Sequence, residues 1–263
     1  MKKGMIFLTV VVMLNMVGVS WAEQGDVSMD VTWVSKYIWR GIDRLDDVAA
    51  LQPSVNVDLG SGFSVNVLAT FPGSSGRTGL SRVDLEEWNY TLTYAGTAFE
   101  GEAYKTNYAI NYRYYDFPDM PSDDADMQEI VIGISMPDIC PAGIVPSYAI
   151  IKMWPSQGEG LVNDAGGFIH VFGLGYQYTC PDLPELPLNF SCAAVYNDGT
   201  GGFPGGGGTV DHDWSHILWG VSTTIDCPAG GTITPALYYQ TSMEDTVNPE
   251  DELWVGVSYG FSF

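Results

Sequence analysis

Three groups of residues in this chain could do chemistry. The first is "DHDWSH" at 211–216. Asp211, His212, Asp213 and His216 offer imidazole nitrogen and carboxylate oxygen, ligand types that suit zinc or nickel. The cluster lies in a Gly-rich connection with no evident further ligand, so a solvated acidic loop is the plainer reading, and no metal or cofactor is expected. The second is His170, flanked at two-residue spacing by Phe168 and Phe172. A lipid-hydrolysing Ser-His-acid group would need an activated serine beside it, which the spacing does not identify. No enzyme is expected. The third is a set of charges at alternating positions in otherwise uncharged segments: Asp30, Lys36, Arg40, Asp58, Arg113 and Glu129. Asp30, Lys36 and Arg40 share one parity, and so are expected on one face of a first strand. Opposed acids and bases lining a bore would set up a transverse field that orients small polar solutes. The same charges could instead pair and fill a narrow interior.

The elements that carry these residues have period two. "VSMDVTW" sets Val27, Met29, Val31 and Trp33 against Ser28, Asp30 and Thr32. Similar alternation runs through 51–59, 63–71, 88–94, 108–115, 130–136, 145–154, 168–178, 188–196, 217–225, 233–239 and 253–263. These are about twelve strands, an even number as single-chain outer-membrane barrels have. Pro53 and Pro235 sit inside two of them and predict local loss of ladder pairing. The connections alternate between short turns, such as 59–63, 95–99 and 140–144, and long acidic Gly-rich loops, such as 41–50, 116–127 and 242–252. Two kinds of turn mean two chemically distinct ends. Many of the aromatic residues lie near strand ends, where a membrane–water interface satisfies both an apolar ring and a polar tip. The expected fold is all-β: a transmembrane antiparallel up-and-down barrel. A secreted β-sandwich also alternates, but it does not require the even count or the two turn classes.

The chain opens with two lysines, an apolar run from Met5 to Val19 and the small residues Ser20 and Ala22. Residues 1–22 are expected to be a cleaved signal peptide, leaving 23–263 as one barrel domain. The net charge of −22 becomes −24 when Lys2 and Lys3 are removed. Such a chain will not bind nucleic acid through charge. Expected partners are outer-membrane lipid and lipopolysaccharide, the latter bridged to acidic loops by calcium or magnesium. Cys140, Cys180, Cys192 and Cys227 form no Cys-x-x-Cys pair, so staples or free thiols are expected. The terminal strand "LWVGVSYGFSF" ends on Phe263. It is expected to close the barrel against the first strand and to be read by the outer-membrane assembly machinery.

"VSKYIWRGI" (34–42), "LQPSVNVDLGSGFSVNV" (51–67), "YAINYRYYDFP" (108–118) and "QEIVIGIS" (128–135) resemble segments of the TorF-type porin family, of the Gcw_chp type. The resemblance covers about half of the mature chain. It implies an outer-membrane barrel with a pore role for small polar solutes or ions, with both termini in the periplasm. It supplies no catalytic residue. The rival expectations are a structural or adhesive barrel and a lipid-active barrel enzyme.

Overall fold

The computed structural model describes residues 27–74, 85–140, 143–157, 167–200, 210, 212–228 and 230–263. Segment 1–22 and Asp211 lie outside the described residues. Each alternating segment forms a strand, because β-branched and aromatic residues at every second position can all be turned to one side of a pleat. The strands are β1 (Val27–Val34), β4 (Ala50–Gly60), β5 (Phe63–Pro72), β6 (Glu87–Ala98), β7 (Thr106–Asp116), β8 (Met127–Ser135), β9 (Ile144–Pro155), β10 (Phe168–Cys180), β11 (Leu183–Asp198), β12 (Asp213–Thr223), β14 (Thr232–Ser242) and β15 (Glu252–Ser262). Three shorter pieces are β2 (Ile38–Trp39), β3 (Ile42–Asp43) and β13 (Ile225–Asp226). A four-residue helix, α1, spans Ser122–Ala125.

Each long strand pairs antiparallel with its neighbours in chain order, and β1 pairs with both β4 and β15. The ladder also runs from β12 to β14. The sheet therefore closes into a twelve-stranded barrel with no free edge. Pairing of Ser28 with Ser262 and Val34 with Gly256 makes the final strand the seam. The prolines are tolerated inside strands: the β4–β5 ladder lapses at Gln52–Pro53, and the β12–β14 ladder stops short of Pro235. A bulge at Ser215 separates the pairing of Trp214 from that of His216.

Parity decides which side chains face out. Val31, Trp33, Leu51, Phe63, Tyr90, Leu92, Phe172, Trp219, Leu237, Val257 and Tyr259 all stand exposed on the outer wall. The opposite parity lines the interior, but that interior is not uniformly polar. Toward the end that carries both chain termini it presents Ser28, Asp30, Asn56, Asp58, Ser64, Asn66 and Ser258. Toward the other end, called distal here, it holds an apolar core including Met127, Val131, Ile151, Met153, Ile169, Val171 and Val195. Of the two interiors the sequence left open, a lined bore and a filled one, the distal half is the filled one, and its filling is largely apolar. The distal half is packed because strands β8, β9 and β10 are apolar on both faces, as buried strands are.

That core is completed by the first distal loop. β1 ends at Val34, and the chain then turns inward and forms the β2–β3 hairpin, with Ile38 opposite Asp43 and Trp39 opposite Ile42. Its two central residues, Arg40 and Gly41, have φ of 53° and 87°. Positive φ at both is the signature of a type I′ turn, whose twist suits a two-residue hairpin. Ile38 packs with Leu218, Tyr238 and Trp254, while Trp39 and Ile42 join the cluster around Tyr115 and Met153. The hairpin thus spans the bore from one wall to the other.

Candidate functional site: the occluded lumen

The chemistry inside the barrel centres on the tip of this hairpin. Arg40 is almost wholly buried, and its Nη2 lies 2.6 Å from Glu129 Oε2 on β8. Arg113 Nη1, from β7, lies 3.2 Å from the other oxygen of Glu129. One carboxylate thus sits between two guanidinium groups. Arg113 also donates from Nε to Thr91 Oγ1 at 3.0 Å and from Nη1 to the Tyr115 hydroxyl at 3.2 Å. Trp39 donates its indole N–H to that same hydroxyl at 3.3 Å, with its ring edge-on to Tyr115. Gln240 on β14 donates to the Gly41 carbonyl at 2.8 Å, which ties the hairpin to the far wall. Two donors of Arg40, Nε and Nη1, are buried without a hydrogen-bond partner.

Gly41 is required at its position on two grounds. A Cβ there would lie 2.5 Å from His216 Nδ1 and 3.0 Å from Val247 Cγ1. Its φ of 87° also disfavours any L side chain. His216 itself is buried against the hairpin, with Nδ1 2.7 Å from the Ser215 hydroxyl. His212 instead stands on the surface and contacts the Asp198 carboxylate. His216 lies inside the barrel beyond the bulge at Ser215 while His212 stands outside, so the described members of this candidate cluster do not converge.

A second polar layer closes the distal mouth. Tyr37 donates to Glu87 Oε1 at 2.9 Å, Asn89 donates to the same oxygen at 2.8 Å, and Arg44 Nη2 lies 3.8 Å from Oε2. Lys36 bridges Asp47 and Glu252, the latter at 2.8 Å. Burial pulls the Lys36 ammonium down, but the two carboxylates more than offset it and hold the group above the usual lysine range. Asp43, Asp47 and Glu252 bring carboxylate oxygens within 4.8 Å of one another, and the Lys36 ammonium already supplies their cation.

The six charges singled out in the sequence therefore fall into three places. Arg40, Arg113 and Glu129 are brought together. Lys36 lies in the loop above them. Asp30 and Asp58 face the bore of the terminus-side half. The expectation that Asp30, Lys36 and Arg40 line one face of the first strand is corrected. That strand stops at Val34 because residues 35–49 fold into the barrel and bury Ile38, Trp39, Ile42 and Leu45. Nor do acids and bases oppose one another across an open bore. Asp30 accepts from Thr32 at 3.3 Å and from Ser54, and Asp58 accepts the Gly60 N–H at 2.7 Å. Sequence reasoning missed Glu87, Glu252, Gln240 and Tyr115 as partners. The signal for the hairpin was present: "IWRGI" sets an x-Gly pair between the apolar Ile38-Trp39 and Ile42.

On the outer wall, His170 accepts or donates through Nδ1 to the Tyr148 hydroxyl at 2.7 Å. All four cysteines are free thiols, which leaves the staple reading without a bridge.

No family model and no curated protein matches the chain. Among solved structures, the chain is similar to the translocator domain of autotransporter NalP from Neisseria meningitidis, with 10% identity, 92% of this chain and 89% of that one covered, and a TM-score of 0.45. It is also similar to Salmonella typhi OmpF in complex with daunomycin (8% identity, 90% and 97% covered, TM-score 0.34). A third is the outer membrane protease OmpT from Escherichia coli (10% identity, 91% and 96% covered, TM-score 0.28). All three are outer-membrane barrels. The barrel assignment for this chain rests on its own strand pairing.

Proposed function

We propose that this chain is an integral outer-membrane barrel that acts as a narrow, gated channel for small polar solutes or ions, with the β2–β3 hairpin as its gate. The observation that carries the reading is the closed wall with a continuous apolar outer face. Closure satisfies every strand's backbone groups, which lipid requires, and so large an exposed apolar surface calls for lipid rather than water. Both termini lie at the short-turn end, which faces the periplasm in this reading, and the acidic loops face outward. The polar half of the lumen forms a wet vestibule. The packed half is shut by Arg40, Trp39 and Gly41, and opening it requires release of the Arg40–Glu129 pair, the Gln240 hydrogen bond and the packing of Ile38, Trp39 and Ile42.

A second reading has its own observation. The apolar core of the distal half is continuous with the hairpin, as in a barrel whose interior is simply filled. Such a barrel would serve as a scaffold and not conduct.

Planar-bilayer recording of the detergent-purified mature chain separates the two. A gated channel gives rare discrete steps, and they become frequent when Ile38–Asp43 is replaced by a short Gly-Ser link. Folded barrels that give no steps in either form overturn the channel reading in favour of the scaffold.

A further inference from the structure

The ion triad at the hairpin tip is one anion short. Arg40 and Arg113 bring two guanidinium charges to the single carboxylate of Glu129. The other buried carboxylates among the described residues are engaged elsewhere. Glu87 is held by Arg44, Tyr37 and Asn89, Glu252 by Lys36 and Asn248, and Asp126 by Tyr114 and the Phe117 N–H. A buried cation without its own anion is costly, and so is a buried donor without an acceptor. Both apply to Arg40, which is 3% exposed and whose Nε and Nη1 have no hydrogen-bond partner.

Free donors continue from the triad into the terminus-side vestibule. Arg113 uses Nε for Thr91 and Nη1 for Tyr115 and Glu129, and none of these contacts engages Nη2. Its side chain keeps 17% exposure where that of Arg40 keeps 1%, so Arg113 is the cation of the triad that a solute meets first. Tyr115 and Trp39, both buried, cover its distal side. Asn111 stands two residues nearer the chain termini on the same face of β7. Thr93 donates to Asn111 Oδ1 at 2.7 Å, which leaves the amide NH2, with two donors, outside that bond. Across β6 and β5 this level continues with the neutral Thr93 and Ser64. The corner is rich in donors, and Glu129 is its one acid among the described residues. The acids of the vestibule itself, Asp30 and Asp58, stand on β1 and β4.

We infer that Arg40, Arg113 and Asn111 form a binding site for a small carboxylate solute at the floor of the vestibule. The carboxylate is the second anion that the two guanidinium groups lack. Its paired oxygens match the planar donor set of arginine, and its bonds to a cation are stronger than those of a neutral solute. It meets Arg113 Nη2 and Asn111 first, then draws the Arg40 guanidinium toward it, while Glu129 keeps Arg113. Arg40 is the tip of the hairpin, so the site links the solute to the element that shuts the bore. This inference rests on the channel reading above and names the solute class of its vestibule. Binding needs no conduction, so the two fail separately.

The test uses the full mature chain folded in detergent, with saturation-transfer NMR at neutral pH against micelles alone. The probes are acetate, its neutral isostere acetamide, and methylammonium. The wild-type barrel should bind acetate about tenfold more tightly than acetamide, the step by which one charge-assisted hydrogen bond exceeds a neutral one. Arg40→Met should remove most of that preference and leave acetamide binding unchanged. Asn111→Asp, which sets a carboxylate beside Arg113, should do the same, and Asp58→Asn should leave acetate binding as it is. Heat-modifiable gel migration confirms that each variant is folded. Equal binding of acetate and acetamide, or an acetate preference that survives both Arg40→Met and Asn111→Asp, overturns the site. Methylammonium bound more tightly than acetate overturns the assigned charge of the solute. Absence of conductance steps would instead overturn the channel reading and leave this binding result standing.

Discussion

Glu129→Leu and Arg40→Met make opposite demands on the same buried triad, and the structure ranks them. Removing Glu129 strands two cations inside the barrel. Arg40 loses its contact at 2.6 Å and Arg113 its contact at 3.2 Å, so two guanidinium groups face each other with no anion between them. Breaking a buried pair from one side costs about 3–5 kcal/mol, and here the repulsion adds to that. Removing Arg40 is different. Glu129 keeps Arg113, and the two Arg40 donors that lack partners disappear with the side chain. A buried unpaired donor costs about 1–3 kcal/mol, close to the value of the single charge-assisted bond that is lost, so Arg40→Met should be near neutral, within about 1 kcal/mol. Urea unfolding of the detergent-solubilised barrel, followed by tryptophan fluorescence and by heat-modifiable gel migration, measures both. The readout of the gate is separate: Arg40→Met should raise the frequency of conductance steps while leaving the unfolding midpoint almost unchanged. An Arg40→Met barrel destabilised as much as Glu129→Leu would refute this ranking and the claim that Arg113 alone satisfies Glu129.

Gly41→Ala should undock the hairpin without harming the wall, because the new methyl meets His216 and Val247 and forces a non-glycine residue to a φ of 87°. The strain is about 1–3 kcal/mol, and limited trypsin digestion should cut after Arg40 many-fold faster than in the wild type. The distal loop at 243–251 should loosen in acid. The Tyr239 hydroxyl and the Ser242 N–H hold the Asp251 carboxyl below its ordinary value of 3.8. A depressed carboxyl contributes its stabilisation in full above the unfolded value and loses it as pH falls through the folded one. Proteolysis of this loop should therefore be independent of pH from 5 to 7 and rise below about pH 4, and Tyr239→Phe should move that rise upward in pH.

The wall was legible because its rule is local. All twelve alternating segments became barrel strands, since period two survives whatever packs on either side. The terminal segment pairs with the first strand because closure leaves no other partner for its free edge. Turn class was legible for the same reason: short turns such as 60–63 need glycine at positive φ, and their sequences carry it. What parity alone could not settle was the content of the interior. "EIVIGIS" and "AIIKMW" are apolar at nearly every position, and such runs mean burial on both faces. Lipid on one side and a packed core on the other give the same letters. Reading only the outer parity left Val131, Ile151 and Met153 unexplained.

The charged site was half legible for a related reason. Arg113 and Glu129 stand on neighbouring strands in direct register, so sequence parity alone places them on one face. Arg40 reaches them only because the chain abandons its strand after Val34, a tertiary event. The cause lies in the partner surfaces. An extended strand through Arg40 would have left Trp39 and Ile38 on opposite faces, one of them in a polar bore. Folding back lets both aromatic and aliphatic groups join the interior clusters, at the expense of a strained Arg40 at φ 53° and a buried cation. That cation needs an anion, and Glu129 is the acid within reach on the packed wall. The barrel's distal half is thus dry because the hairpin fills it, and its ion triad is buried because the half is dry. Displacing the hairpin would hydrate Glu129 and Arg113 together. A hairpin displaced from the barrel would therefore change the polarity of the distal half of the bore, where the apolar cluster and the ion triad share one space.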